Sequence, residues 1–148
     1  MNRAKNFREF INQRIVKKQF PDKSRAEFLI KEAEVSLGGL NERIRIIGIN
    51  DKNANSIIKD CYDVMMELIR AKMLLDGYNS SGQGAHEAEV SYMRILDFDE
   101  KEVQFTDQMR FFRNGMLYYG TILDKEYAEK VIHFTKGIYI KLRKILKL

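Results

Sequence analysis

Apolar residues recur at intervals of three and four over most of the chain, which is the spacing of amphipathic helices. Four long segments show this periodicity: 24–47, 55–78, 100–119 and 124–146. Long helices joined by short turns pack as antiparallel neighbours. The pattern therefore predicts an all-α protein whose core is an up-and-down antiparallel four-helix bundle.

Two further amphipathic segments lie outside these four, at 3–20 and at 85–96. Pro21 ends the first one, because proline cannot continue a helix in its interior. We expect one domain over the whole chain, with 1–21 as a helical extension and 22–148 as the bundle. The apolar stripe of the extension consists of Phe7, Phe10, Ile11 and Ile15.

The segment from Phe105 to Gly120, FTDQMRFFRNGMLYYG, continues the helical spacing through an unusual dipeptide. Its apolar positions step by four and three, and Gly120 is well placed as a C-terminal cap. Asn114-Gly115 then falls inside the predicted helix, where glycine alone costs about 1 kcal/mol relative to alanine. A residue of low helix propensity inside an otherwise consistent helical pattern indicates function or a close backbone contact.

Composition and length favour one soluble globular domain. The chain has 148 residues, of which 45% are hydrophobic and 32% charged, a balance typical of folded proteins. The single cysteine, Cys61, excludes an intramolecular disulfide and fits a reducing cytoplasm. No apolar run approaches the roughly 18 residues of a membrane span, and we see no secretory signal. We therefore expect a cytoplasmic protein.

The net charge of +5 is concentrated at the two ends of the sequence. Residues 1–31 contain nine Lys or Arg against three Asp or Glu, and residues 136–148 contain five and none. Charge runs are most often solvated helix faces. Two basic strips can also bind phosphates, and binding of that kind depends on salt. Both interpretations remain open at this point.

Several common chemistries have no support in the sequence. Neither His86 nor His133 has a glutamate three residues before it, so the Glu-x-x-His motif of two-metal helical bundles is not present. One cysteine cannot build a Cys–His zinc site. No glycine-rich phosphate loop precedes a helix. We therefore expect neither a metal nor a cofactor.

Candidate ligand-binding residues cluster in the unusual helix. A guanidinium with phenol hydroxyls can hold a phosphate or stack against a base. The alternative is an arginine paired with a carboxylate of the bundle, and tyrosines that are core residues. The candidate ligand-binding residues are Arg110, Arg113, Asn114, Tyr118 and Tyr119.

Two motifs carry a resemblance to a known family. The pattern RN-x-x-x-YYG from Arg113 to Gly120 resembles the signature of HEPN domains, which are all-helical partners or relatives of minimal nucleotidyltransferases. The segment G-x-HEAE-x-SY from Gly84 to Tyr92 is similar to archaeal-type members. The likeness spans residues 24–146, and 84–120 is its distinctive part.

The resemblance implies a homodimer, a possible nucleotidyltransferase partner and a nucleotide or RNA ligand. Many HEPN domains are metal-independent ribonucleases, some of them toxins, that use an arginine and a histidine four to six residues further on. This chain keeps Arg113 and has Tyr118 at the first histidine position. The reference pKa of phenol is about 10 against about 6.5 for imidazole, so a tyrosine is a poor general base at neutral pH.

Three functions follow as expectations. The first is a binding module for RNA, a nucleotide or a protein, without efficient catalysis. The second is a divergent ribonuclease that uses Arg113 with Tyr118 or His86. The third is a scaffold that only dimerises.

The homodimer is expected to form at the unusual dipeptide. Glycine has no side chain, so another helix can approach closely at Gly115. The predicted dimer contacts are Phe111, Asn114, Gly115, Met116 and Tyr118.

Overall fold

The helix α3, Ala54–Leu75, lies at the centre of the protein. The computed structural model describes residues 6–115 and 123–148, which are mostly helical. Most residues of α3 are buried, on all sides of the helix, among them Tyr62, Val64 and Met66. A helix that is apolar all round is surrounded by other elements, and this explains why α3 contacts every other long helix.

Four helices pack around α3, and the all-α prediction is confirmed. They are α2, Lys23–Ile47; α4, Ala85–Ile95; α5, Glu100–Arg113; and α6, Lys125–Ile145. Each begins at a cap that its sequence provides, except α4, which follows Gly84. At α5 the Asp99 side chain accepts from the Glu102 backbone while the Glu102 side chain accepts from Asp99, which is a complete capping box.

Contacts at the helix ends give the helix directions. The Asp22 backbone N–H donates to the Leu74 carbonyl, while Arg43 pairs with Asp60, so α2 runs antiparallel to α3. The Lys125 N–H donates to Asp51 just before α3, so α3 and α6 begin at the same end.

The directions of α5 and α6 follow from two contacts between them. Lys141 pairs with Glu102, and the Phe112 and Tyr127 rings meet edge to face, so α5 runs antiparallel to α6. The order α2, α3, α5 and α6 therefore alternates in direction, as the periodicity predicted.

The prediction of one helix over 3–20 is wrong for the residues that the structure describes. A short helix, α1, covers Phe7–Asn12, and the chain then forms the strand β1, Val16–Lys18. β1 pairs antiparallel with β2, Tyr78–Ser80, with Lys17 opposite Asn79. The β-branched residues at the start of β1 favour extended structure, and their apolar spacing fits a strand as well as a helix.

Glycine allows the chain before β2 to pass close to the residue that follows β1. Gly77 has φ +87, and a Cβ there would lie 2.8 Å from the Gln19 carbonyl oxygen. The segment 79–84, which is rich in glycine and serine, begins inside this sheet.

The predicted helix over 100–119 ends earlier than expected. α5 ends at Arg113, Asn114 is its C-cap, and Gly115 has φ +77. This left-handed position is the one that glycine favours after a helix, so Asn-Gly ends the helix rather than interrupting it. A Cβ on Gly115 would meet nothing within 4 Å. Leucine there would be strained by the backbone, so replacing Gly115 would disturb the helix end itself.

The helix α2 runs without interruption through Gly38-Gly39. A Cβ on either glycine would meet nothing within 4 Å. Cys61 is buried, and burial raises the pKa of its thiol to about 11. Among the described residues, no helix is long and apolar enough to cross a membrane.

Candidate functional site

The C-terminal turn of α5 holds Arg113 in an exposed ion pair. Its Nε donates to Asp63 Oδ1 on α3 over 3.0 Å, and the two side chains are 44% and 46% exposed. Exposed pairs of this kind contribute about 0–1 kcal/mol. The guanidinium of Arg113 is therefore positioned but can exchange the carboxylate for another anion.

Arg110, one turn earlier, is held more firmly. Its Nε donates to Asp107 Oδ1 over 2.8 Å, and its guanidinium lies 4.5 Å from the centroid of the Phe111 ring. Asp107 is buried and the Arg110 side chain is largely so. Aromatic stacking and a buried carboxylate together fix this guanidinium in one orientation.

A buried glutamate joins α4 to α3. Arg70 Nε and Nη2 donate to the two oxygens of Glu89 over 2.5 and 3.1 Å, a bidentate pair. His86 Nδ1 lies 3.1 Å from Glu89 Oε1, while the His86 side chain remains 56% exposed. Burial acts to raise the pKa of Glu89, but the hydrogen bonds from His86 and Arg70 outweigh it and lower the pKa.

Tyr62 connects the buried glutamate with the exposed arginine. Its ring meets His86 edge to face with centroids 6.4 Å apart, and Asp63, which pairs with Arg113, is the next residue. Burial first, and then the charge of Glu89, raise the pKa of Tyr62. Among the described residues its buried hydroxyl has no hydrogen-bond partner.

These side chains form what we call the polar cluster, at the junction of α3, α4 and α5. Buried charges cost stability unless they are paired, and even buried pairs are often no better than apolar residues. Ionisable groups with shifted pKa values concentrate at functional sites. The cluster is therefore the candidate functional site. Its members are Tyr62, Asp63, Arg70, His86, Glu89, Asp107, Arg110 and Arg113.

The structure places residues of the two sequence motifs in the same cluster. Because α4 packs against α5, His86 reaches the cluster through Glu89, while Arg110 and Arg113 reach it from α5. Phe111 stacks under Arg110, and Asn114 and Gly115 end the helix beside it. The predicted site residues Met116, Tyr118 and Tyr119 lie outside the described residues.

Sequence reasoning missed the residues that hold these arginines. Asp63, Arg70 and Asp107 were not predicted as site residues, and neither was Tyr62. One signal was available: Glu89 occupies a position that the helical periodicity of α4 assigns to an apolar side chain, and it is buried. A carboxylate on the buried face of a helix needs a partner.

The two basic ends of the sequence lie toward the same end of the bundle. Lys17 and Lys18 lie in β1, which pairs with the strand that follows the end of α3. Lys141 and Lys144 lie near the end of α6, which runs parallel to α3. The latter two line a shallow cleft of about 290 Å³. Within residues 6–115 and 123–148, no group of three or more His, Cys, Asp or Glu could hold a metal ion.

Compared with protein-family models, curated proteins and solved structures, the chain matches none of them. The resemblance to HEPN domains therefore rests on the two sequence motifs alone.

Proposed function

We propose that this protein is a HEPN-like helical module that binds RNA or a nucleotide through the polar cluster, without efficient catalysis. It acts as a homodimer or with a protein partner such as a nucleotidyltransferase. The observation that supports binding is Arg113, a guanidinium aimed by Asp63 and exposed on one side. Arginine forms two parallel hydrogen bonds to phosphate, and an exposed carboxylate competes weakly for it.

Inefficient catalysis is part of the proposal because the available proton acceptors are poorly placed. Burial raises the pKa of Tyr62, so its phenolate is scarce at neutral pH. The contact with Glu89 occupies Nδ1 of His86, so only Nε2 of that ring is left to accept a proton. A general base must be unprotonated and within hydrogen-bond reach of its proton.

One observation favours the second function, a metal-independent ribonuclease. A buried carboxylate that binds Nδ1 of a histidine orients the ring, and the His86 side chain remains 56% exposed. This arrangement suits proton transfer. In this alternative Arg113 stabilises the charge on phosphorus and His86 moves the proton. Incubation of mixed RNA in chelator distinguishes the two functions: the proposal expects intact RNA, and cleavage lost in both Arg113→Ala and His86→Ala would replace it with the ribonuclease.

Arg113→Ala is expected to weaken binding of a labelled single-stranded RNA about 10-fold, because a charge-assisted hydrogen bond contributes about 1.5–3 kcal/mol. Asp63→Asn is expected to tighten it about 3-fold, because it removes the competing carboxylate and keeps the side-chain shape. Fluorescence anisotropy at low salt measures both. The two substitutions are thus expected to change RNA affinity in opposite directions. If the ion pair were purely structural, either substitution would only lower the stability of the protein.

The matched control is Asp60→Asn. Asp60 is one turn away on α3, is 40% exposed, and pairs with Arg43 as Asp63 pairs with Arg113. It changes the net charge of the protein equally but releases a different arginine. Equal tightening in Asp60→Asn and Asp63→Asn would assign the effect to overall charge and reject a site at Arg113.

A further inference from the structure

The outward face of α2 has the composition of an interface. α2 packs on the rest of the described chain mainly through α3, with its other side facing outward. Phe28, Val35 and Ile46 are 61%, 64% and 66% exposed there. With 3.6 residues per turn, these three and Gly39 lie within about 40° of one another around the helix axis. They form one apolar stripe on the side opposite the buried Ala26, Ala33 and Leu40.

The stripe is symmetric along the helix. Phe28 and Ile46 are equally distant from Leu37 in sequence, and so are Val35 and Gly39. A two-fold axis at the level of Leu37, perpendicular to α2, would place a second α2 antiparallel to the first. Phe28 then lies opposite the second copy's Ile46, and Val35 opposite the second copy's Gly39. Such an interface uses the same patch on both copies.

Gly39 makes the close approach possible. A Cβ at this position would meet nothing within 4 Å, so the space beside it is open. The side chain of Val35 from a second copy can occupy that space, and the two helix axes can approach to about 8–10 Å. Glycine in an exposed helix interior costs stability in the isolated chain. A dimer contact that requires a small residue would explain why glycine occupies position 39.

The charges beside the stripe fit the same arrangement. Lys31 and Glu42 lie on one flank, and the antiparallel pairing brings Lys31 of each copy to within one residue of the level of Glu42 of the other. Opposite charges that meet across an interface favour the arrangement that pairs them. In a parallel two-fold pair this flank of one copy would lie beside the opposite flank of the other, so Lys31 would not meet Glu42, and the two Gly39 positions would leave a gap.

We infer that a second copy of this chain binds the outward face of α2 in an antiparallel two-fold pair. This inference rests on the homodimer of the proposed function and places its contact on α2, away from the contacts predicted at Phe111, Asn114 and Gly115 and from the polar cluster. A 25-residue helix is about 37 Å long, so such a strip buries about 400 Å² per copy. That is below the roughly 800 Å² per partner of stable complexes, and we expect a dimer with a Kd of tens to hundreds of micromolar.

Sedimentation equilibrium from about 10 μM to about 1 mM measures this dimer. Lys31→Glu and Glu42→Lys should each weaken it about 10-fold, since each replaces two attractive pairs with two repulsive ones. The double variant should restore the wild-type dissociation constant to within about 2-fold. Val35→Asp should abolish dimerisation, and circular dichroism verifies that all four variants are folded.

A monomer throughout this range overturns the inference. So does a dimer that the single charge changes leave unaltered, or that the double variant fails to restore, because parallel pairing or another surface would then be responsible. The RNA experiment on Arg113 is independent of this outcome. A dimer insensitive to α2 would leave the proposed function standing, whereas RNA binding insensitive to Arg113 would reject the proposed function and leave this interface standing.

Discussion

Glu89→Gln is expected to lower the free energy of unfolding by about 3 kcal/mol. Removing one member of a buried ion pair costs about 3–5 kcal/mol, because the remaining charge keeps its desolvation penalty without its partner. The Glu89 side chain is 1% exposed and binds Arg70 through both oxygens. We expect the low end of the range because Arg70 is 26% exposed, so water can solvate part of its guanidinium.

Urea unfolding followed by circular dichroism measures this loss, with Glu87→Gln as the control. Glu87 lies two residues away on α4 and its side chain is partly exposed, so the same chemical change there should alter stability by less than about 0.5 kcal/mol. A similar small change in Glu89→Gln would mean that the buried pair contributes little, and would remove the main reason for regarding the polar cluster as costly.

The same pair predicts how stability depends on pH. The pKa of Glu89 is lower in the folded protein than its ordinary value, so the folded state binds this proton less readily than the unfolded state does. Its contribution is complete above the unfolded pKa of about 4.5 and is lost as the pH falls through the folded pKa. The difference in stability between wild type and Glu89→Gln should therefore be constant near neutrality and shrink on acidification below about pH 4.5.

Periodicity predicted the helices well wherever burial on one side decides the structure. The apolar stripes of α2 and α6 face the core as expected, because residues that repeat every 3.6 positions lie on one face of a helix and are buried together. Periodicity failed at Ile15–Val16, where apolar neighbours fit a strand that only the distant Tyr78–Ser80 could reveal. It also failed at Asn114-Gly115, since a continuing apolar pattern outweighed a dipeptide that ends a helix.

The site was partly predictable for a related reason. Arg113 and His86 stood out because each lies in a recognisable motif, and motifs are local. Their partners are set by tertiary packing: Asp63 is 50 residues from Arg113 in sequence. Nothing in the neighbourhood of Asp63 or Arg70 on α3 distinguishes them from solvated charges until α4 and α5 are placed beside them.

Reversing four lysines at the basic end of the bundle is expected to weaken RNA binding about 1,000-fold near 0.1 M salt. This prediction rests on the proposed RNA ligand. Each phosphate contact with a single strand contributes about 0.7 to the slope of log K against log salt, so the loss of four contacts removes nearly 3 from that slope. The four residues, which the structure brings to one end, are Lys17, Lys18, Lys141 and Lys144.

A second variant reverses four lysines at the opposite end, where α3 and α6 begin: Lys52, Lys59, Lys125 and Lys130. Arg113 lies at that end, and Lys59 is one turn from its partner Asp63, so this variant measures contacts beside Arg113. Both variants carry the same net charge, so titrations at several salt concentrations compare the two ends directly. An unchanged salt slope in the variant with Lys17, Lys18, Lys141 and Lys144 reversed would show that the RNA backbone does not contact the basic end.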